Sequence, residues 1–256
     1  MNDAPVSTRD QWEQRAAQSG NRLSGVLFRG FSEQANAAMH RWHEWVVYQS
    51  FLPRLANAAR VLDLGCGYGR LSKTIREHRA DLELVGQDLS LSYCKLFRED
   101  VGDCVQSDGC RMPFASETFD AVMAVTCLMY GTRASTPLRI EEIRRVLRPH
   151  GVLLLLDPGY EMQRLIATVS FGGRQSPTGG RGFSVAEYPA LVSREGFQIH
   201  AMGGNPWLSA ALLVPGVARS KRPLVRKLLD YNVRKDCHET GFSRVALHRW
   251  ICATRQ

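Results

Sequence analysis

The order of hydrophobic and polar segments along the chain predicts a parallel β-sheet. From residue 61 onward, short apolar runs alternate with stretches of helical periodicity, which is typical of βαβ units. The runs predicted as strands are 61–64, 84–88, 104–107, 119–125 and 151–157. Right-handed crossovers bring the carboxyl ends of parallel strands to one edge of the sheet, where open α/β sheets bind ligands.

Helical periodicity surrounds and separates these strands. Between strands, helices are predicted at 70–78, 92–99 and 138–147. A further helix at 184–195 opens with the capping-box pattern from Ser184 to Glu187, and strands at 197–202 and 243–254 follow it. Residues 8–57 are predicted to be helical and to end at Pro53. The chain therefore predicts seven strands, preceded by a helical segment.

The composition is that of an ordinary globular protein. The 256 residues are 44% hydrophobic and 23% charged, which excludes disordered, collagen-like and coiled-coil classes. No apolar stretch approaches the ~18 residues of a membrane span, and the first ten residues do not form an apolar signal segment. Seven cysteines without a Cys-x-x-Cys pair indicate reduced thiols. These features predict a cytoplasmic protein.

Positive charge is concentrated near the carboxyl end of the chain. The net charge is +8, and residues 216–256 contain ten Lys and Arg against three Asp and Glu. Within residues 207–235, leucines are mixed with Arg219, Lys221, Arg222, Arg226 and Lys227. Such a segment fits an acidic acceptor, peripheral contact with an anionic membrane, nucleic acid, or a solvated helix face.

Glycines and carboxylates follow the first three predicted strands. Gly65, Gly67 and Gly69 leave the first strand and enter a helix, so a ligand can lie against the backbone. The dinucleotide pattern Gly-x-Gly-x-x-Gly fails because Arg70 takes the place of its third glycine. Asp88 ends the second strand, where a carboxylate can accept hydrogen bonds from ribose hydroxyls.

A metal site is not predicted. His40 and His43 are three residues apart, a spacing that permits two ligands on one helix face, but the sequence offers no third or fourth ligand. These histidines are interpreted as polar members of a lid helix. Trp42, Trp45 and Tyr48 nearby are expected to be core aromatics or a roof over the acceptor.

With these motifs, residues 60–157 strongly resemble the class I S-adenosylmethionine-dependent methyltransferases. The resemblance implies an α/β, Rossmann-like sheet of seven strands in the order 3-2-1-4-5-7-6, with the last strand antiparallel. It also implies S-adenosyl-L-methionine as the cofactor. We expect an N-terminal helical lid at residues 1–58 and a methyltransferase domain at 59–256, with 158–196 and 203–242 on the acceptor side.

The resemblance also implies which residues bind the cofactor. The implied residues are Asp63, Gly65, Cys66, Gly67 and Gly69 for the methionine part, Asp88 for the ribose, Leu89 packed on the adenine, Asp108 and Gly109 for the adenine edge, Cys110 for the other face of the adenine, and backbone groups of Thr126 and Cys127 for the methionine end. Met112 is an alternative to Cys110 on the adenine face.

The implied activity is methyl transfer to a small or medium-sized acceptor, with an acidic, glycan or lipid-linked acceptor among the options. Tyr130 and Asp157 are the candidate catalytic residues, since both follow strands at the ligand edge. Two alternatives stay open. A nucleic-acid methyltransferase fits the basic tail, but an Asn-Pro-Pro-Tyr or Asp-Pro-Pro-Tyr motif is absent after the fourth strand. A catalytically silent cofactor-binding scaffold would keep the same glycines and carboxylates.

Overall fold

The computed structural model describes residues 7–132, 134–173, 180–239 and 241–256. Its strands are β1 (Arg60–Leu64), β2 (Glu83–Asp88), β3 (Cys104–Gln106), β4 (Phe119–Val125), β5 (Leu147–Pro158), β6 (Phe197–Gly204) and β7 (His248–Arg255). They form one sheet in the order β3-β2-β1-β4-β5-β7-β6. β7 runs antiparallel to both of its neighbours, and the other pairs are parallel. The predicted strand order and the antiparallel last strand are confirmed.

The α-helices in the described part of the chain are α1 (Thr8–Ser19), α2 (Leu23–Val26), α3 (Glu33–Val46), α4 (Arg70–His78), α5 (Leu91–Asp100), α6 (Ser135–Val146), α7 (Tyr160–Phe171), α8 (Glu187–Arg194), α9 (Pro206–Leu213) and α10 (Pro223–His238). After α3 the chain continues through a π-helical turn, Val47–Phe51, and a 3₁₀ turn, Leu52–Arg54. Helices therefore occupy much of residues 8–57, as predicted.

The sheet separates two hydrophobic cores. Leu153 to Leu156 in β5 are all fully buried, and successive side chains point to opposite faces. Leu154 and Leu156 pack with Trp42 of α3 and with residues of α4, α5, α9 and α10. Leu153 and Leu155 pack on the other face, with α6 and α8. Helices on both faces explain why these strands are almost continuously apolar.

Several predicted boundaries differ from the structure. The helix predicted to end at 147 ends at Val146, and β5 begins at Leu147 rather than at 151, because Leu147 pairs with Phe119 across a register shift. β7 begins at His248 rather than at 243. The capping box forms, since Glu187 N donates to Ser184 Oγ (3.1 Å) and Ser184 N donates to Glu187 Oε2 (3.3 Å), but the regular helix begins only at Glu187.

Helix α1 is attached to the first residues of α5. The Glu13 carboxylate accepts hydrogen bonds from Leu91 N and, at 3.3 Å, from Ser92 N. Burial acts to raise the pKa of Glu13, but hydrogen bonds from Ser92 and Leu91 outweigh it and lower the pKa overall. Backbone amides at a helix start are otherwise unpaired, so a carboxylate there satisfies them and meets the positive end of the helix dipole.

We expect Glu13→Ala to loosen α1 without unfolding the sheet. Losing a charged acceptor for two amides should reduce the local opening free energy of α1 by about 1–3 kcal/mol. Amide hydrogen exchange of residues 8–19 measures this change. Gln14→Ala, at the exposed neighbouring position of the same helix, is the matched control. Equal exchange in the two variants would contradict the role given to Glu13.

Candidate functional site

The loop after β1 needs glycine for its backbone conformation. Gly65, Gly67 and Gly69 have φ angles of +70°, +54° and +80°, in the left-handed region that other residues rarely adopt. Space is also limited: a Cβ at Gly65 would lie 2.5 Å from Cys127 Sγ, and one at Gly67 would lie 2.8 Å from Val26 Cγ1. The glycines therefore let this loop pass close to the end of β4 and to α2.

Two buried carboxylates lie beside this loop. Asp88 Oδ2 accepts a hydrogen bond from Gly67 N at 2.8 Å, and Oδ1 accepts one from Ser90 N at 2.8 Å. Asp63 accepts a hydrogen bond from Ser72 Oγ at 2.7 Å. Burial raises the pKa of each aspartate to about 6, against the lowering effect of these hydrogen bonds. Asp88 thus joins the ends of β1 and β2 and retains lone pairs for further donors.

A cavity opens over the carboxyl ends of β1, β2 and β4. This first cavity has an empty volume of about 870 Å³, including space open to solvent at its mouth. Ten of the twelve residues expected to bind the cofactor line it: Asp63, Gly65, Cys66, Gly67, Asp88, Leu89, Asp108, Gly109, Thr126 and Cys127. The candidate catalytic residue Tyr130 also lines it. The sheet edge therefore brings most of the predicted site together.

Two expected cofactor residues are not in the wall of the first cavity. A Cβ at Gly69 would lie 2.8 Å from Val101 Cγ2 and 2.9 Å from Phe97, so this position brings the start of α4 against α5. Cys110 follows the strand-end loop, and its backbone N donates to Asp108 Oδ1 at 2.8 Å. The alternative, Met112, is buried in the core beneath α6.

Sequence reasoning missed several residues of the first cavity. Thr8, Trp12 and Val26 reach it from α1 and α2, and Arg70 and Arg139 reach it from the starts of α4 and α6. Arg70 directly follows the glycine motif and could have been found from it. The N-terminal residues lie in a segment without a motif, so nothing in the local sequence marks them.

A second cavity adjoins the first and is lined by arginines and apolar side chains. It has an empty volume of about 2150 Å³, again including open space. Its lining includes Arg15, Arg29, Arg164, Arg181 and Arg219 as cationic residues, and Leu27, Phe28, Phe31, Met129, Ile166 and Leu247 as apolar residues. No Asp or Glu belongs to its wall in the described ranges of the chain. The two cavities share Val26, Thr126 and Tyr130, so they meet at the end of β4.

The arginines of the second cavity are held at its surface by several contacts. Arg164 donates to Tyr160 Oη at 3.1 Å, and the Arg181 guanidinium lies 4.4 Å from the centroid of the Tyr160 ring. Arg181 also pairs with Glu187 at 3.4 Å. Arg29 donates to Gln18 Oε1 at 2.7 Å. The wall therefore presents guanidinium groups, which bind carboxylate and phosphate oxygens well.

Tyr130 lies where the cavities meet, but Asp157 does not line either of them. The Tyr130 ring packs edge-on against Trp12, with centroids 4.8 Å apart. Burial raises the pKa of Tyr130, although the nearby Arg15 opposes this shift and hydrogen-bonds to it. Asp157 is fully buried and accepts hydrogen bonds from Met129 N (3.1 Å) and Tyr188 Oη (2.9 Å). The structure therefore places Asp157 in the framework, and its candidacy as a catalytic residue is not supported.

The two histidines of α3 contact a buried arginine. Arg70 donates to His40 Nδ1 and to His43 Nδ1, each at 3.0 Å. His43 Nε2 lies 2.6 Å from Nδ1 of His248, a residue that the sequence did not single out. Among the described residues, no group of three or more His, Cys, Asp and Glu side chains is placed to hold a metal ion.

Comparisons with known proteins point to one family. Residues 61–151 match the family described as "Methyltransferase domain". Over 124 residues the chain is 32% identical to malonyl-[acyl-carrier protein] O-methyltransferase of Legionella pneumophila, a match that covers 46% of this chain and 41% of that protein. The chain thus spans less than half of this relative.

Two solved structures share the fold over nearly the full length of the chain. Magnesium protoporphyrin IX methyltransferase from Synechocystis, solved with bound SAH, has a TM-score of 0.64 and 16% identity, covering 97% of this chain and 98% of that one. The [4+2]-cyclase SpnF has a TM-score of 0.62 and 21% identity, covering 98% and 97%. Likeness at this identity establishes the fold.

None of the helices described here is long and apolar enough to cross a membrane.

We expect Asp88→Ala to weaken binding of S-adenosylhomocysteine by about 1–3 kcal/mol, because a ligand hydroxyl loses a charged acceptor. Calorimetry measures the affinity, and the melting temperature checks that the variant is folded. Asp103→Ala, an exposed aspartate before β3, is the control and should bind like the wild type. Unchanged affinity in Asp88→Ala would remove this residue from the site.

Asp157 predicts a pH-dependent stability. Burial raises its pKa to about 7 in the fold, against an ordinary value of 3.8, so the folded state retains a proton that the unfolded state loses. Its contribution to stability therefore falls as the pH rises from about 4 to 7. Relative to wild type, Asp157→Asn should become more stable over that range, as measured by urea unfolding at several pH values. Parallel pH profiles for the two proteins would refute this expectation.

Proposed function

We propose that this chain, which belongs to the class I S-adenosylmethionine-dependent methyltransferases, transfers a methyl group to a small or medium-sized acceptor that has an apolar part and a negative charge. One observation carries the choice of acceptor. Five arginines and several apolar side chains line the second cavity, and no carboxylate belongs to its wall within the described residues. This cavity meets the first one, so an acceptor bound there lies beside the proposed cofactor site.

The residues of the first cavity fit S-adenosyl-L-methionine. Asp88 offers free lone pairs to ribose hydroxyls, and Leu64, Leu89 and Val125 provide apolar wall. The positive-φ glycines leave room for a ligand against the backbone. When bound, this cofactor supplies a methyl group already activated by its sulfonium. The protein then contributes mainly by alignment, which can be worth ~7–11 kcal/mol.

The arrangement of the chain supports a division of labour around the two cavities. We assign residues 1–58 as a lid over the domain of residues 59–256, because Thr8, Trp12 and Val26 belong to the wall of the first cavity. Residues 1–6 lie outside the described part of the chain. The segments 158–196 and 203–242 are assigned to the acceptor side, since they supply Arg181 and Arg219 to the second cavity.

Tyr130 and Thr126 are the residues best placed to contact an acceptor near the transferred methyl group, because both line the two cavities. The raised pKa of Tyr130 favours its neutral hydroxyl, which can donate a hydrogen bond but is a poor base. We therefore assign Tyr130 to orientation of the acceptor. An acceptor that is already ionised would not require a base.

A screen with labelled methyl tests the proposed activity. The protein is incubated with a cell extract and S-adenosylmethionine labelled in the transferred methyl group, and labelled products are identified by mass spectrometry. We expect the label on a compound whose unmethylated form is retained by an anion exchanger. Label only on neutral or cationic compounds, or on nucleic acid, would refute the acceptor class. Cofactor binding without any labelled product would favour the silent scaffold.

We expect Arg29→Gln and Arg164→Gln each to raise the acceptor KM about tenfold or more, since a hydrogen bond to a charged group contributes ~1.5–3 kcal/mol. Cofactor affinity should stay unchanged, because neither arginine lines the first cavity. Steady-state kinetics with the acceptor from the screen measure both constants. Lys227→Gln, an exposed residue of α10 outside both cavities, is the control. If the KM of both arginine variants equals that of wild type and of Lys227→Gln, the arginines do not bind the acceptor.

The basic segment 207–235 is divided between the cavity and the outer surface. Arg219 lines the second cavity, whereas Lys221, Arg222, Arg226 and Lys227 are exposed and do not line it. Beside them on α10, Leu224, Leu228 and Tyr231 are 77%, 41% and 52% exposed. Positions 224, 228 and 231 follow helical spacing, so they share a face. This combination supports peripheral contact with an anionic membrane.

Vesicle sedimentation tests this contact. We expect binding to phosphatidylglycerol vesicles, weak binding to phosphatidylcholine vesicles, and loss of binding when Leu224 and Leu228 are both replaced by Gln. Raising the salt concentration should weaken binding, because screening acts over ~8–10 Å at physiological ionic strength. If little protein sediments with either kind of vesicle, this face of α10 is instead a solvated helix face.

A further inference from the structure

A chain of buried polar groups runs from the first cavity to the second. Arg70 lines the first cavity, and its guanidinium donates to His43 Nδ1 at 3.0 Å. His43 Nε2 and His248 Nδ1 are 2.6 Å apart, and their rings are inclined by only 18°. His248 lines the second cavity. Arg70, His43 and His248 are all buried.

The arginine determines which ring nitrogens hold protons. A guanidinium only donates, so His43 Nδ1 must accept and its proton must be on Nε2. That nitrogen then donates to His248 Nδ1, which leaves the His248 proton on Nε2. Burial lowers the pKa of His43 well below its usual value and that of His248 to about 3, so both rings are neutral. The hydrogen bonds therefore select one tautomer for each ring.

The far side of the His248 ring carries an unsatisfied donor. Nε2 of His248 is buried without a hydrogen-bond partner among the described residues. The ring is fixed from several sides: Phe28 stacks on it with centroids 5.6 Å apart, and the His248 backbone N donates to Asn205 Oδ1 at 2.8 Å. His248 begins β7 opposite Pro158, at the carboxyl end of β5. It thus lies at the ligand-binding edge of the sheet.

We propose that His248 is an acceptor-binding residue, whose Nε2–H donates a hydrogen bond to an anionic oxygen of the acceptor in the second cavity. This inference rests on the proposed function, which places an anionic acceptor there. A buried N–H without a partner is costly, and an oxygen ligand removes that cost. The same geometry makes His248 a donor and not a base. For Nε2 to accept a proton, the ring's own proton would have to move to Nδ1. That move would break the hydrogen bond that Nδ1 accepts from His43.

Two substitutions distinguish the role of the Nε2–H donor from the role of the imidazole ring itself. In His248→Gln the side-chain amide nitrogen reaches about as far as Nε2, so a donor is retained. In His248→Asn the shorter amide can still accept from His43, but the donor on the far side is lost. His200→Asn is the control, since His200 is exposed and bonds to Thr254 on the opposite end of β6 and β7. Melting temperatures check the fold of each variant.

Decanoate and decyl phosphate serve as probes because each joins an apolar chain to an anionic oxygen group. Calorimetry in the presence of S-adenosylhomocysteine measures their affinities. We expect His248→Asn to weaken at least one probe about tenfold, while His248→Gln and His200→Asn stay within about threefold of wild type. The probe that responds distinguishes a carboxylate acceptor from a phosphate one.

The outcomes separate this inference from the proposed function. If Arg29→Gln and Arg164→Gln weaken the probes and His248→Asn does not, the proposed function stands and the role of His248 is wrong. If wild type binds neither probe, both proposals are wrong. Long-range ¹H–¹⁵N correlation spectra of the wild-type histidines provide a test that needs no variant. We expect His248 to hold its proton on Nε2 and that proton to shift on adding a bound probe; a proton on Nδ1 would overturn the inference.

Discussion

The carboxylate of Asp88 is the interaction on which the ligand edge of the sheet depends. It accepts one hydrogen bond from the backbone amide of Gly67, in the loop after β1, and another from the backbone amide of Ser90, just before α5. One side chain thus fixes the glycine loop, the end of β2 and the first turn of α5 relative to each other. Burial makes the charge costly, and two amide donors offset that cost. Without this connection, the glycines would leave the loop free to adopt other conformations.

Charge is sorted between the two cavities. Of the residues that line these two cavities, the three carboxylates, Asp63, Asp88 and Asp108, all belong to the first, beside Arg70 and Arg139, whereas the second has five arginines and no carboxylate in the described part of the chain. A ligand that joins a cation to a nucleoside suits the first environment, and an anion suits the second. Electrostatic complementarity of this kind would favour the cofactor in the first cavity and the proposed anionic acceptor in the second.

The sequence predicted the sheet and its ligand edge because both depend on local signals. Strands that are buried on both faces appear in the sequence as continuous apolar runs. The loop after β1 contains glycines because its positive φ angles favour them. Residues that act through distant partners could not be predicted. Asp157 looks like a catalytic group at a strand end, yet Tyr188, thirty-one residues later, binds it. His248 is a single histidine in a strand, and its setting depends on His43 and Arg70 from other parts of the chain.

Helix α1 has a consequence for the timing of the reaction cycle. Thr8 and Trp12 form part of the wall of the first cavity, and Glu13 attaches the helix to α5. Any ligand that fills this cavity adds contacts to α1, so its residence time increases with the stability of the helix. Departure of the spent ligand then requires those contacts to break, and release can be slower than the chemical step. A stronger attachment of α1 would thus keep the first cavity occupied for longer and lower the turnover rate.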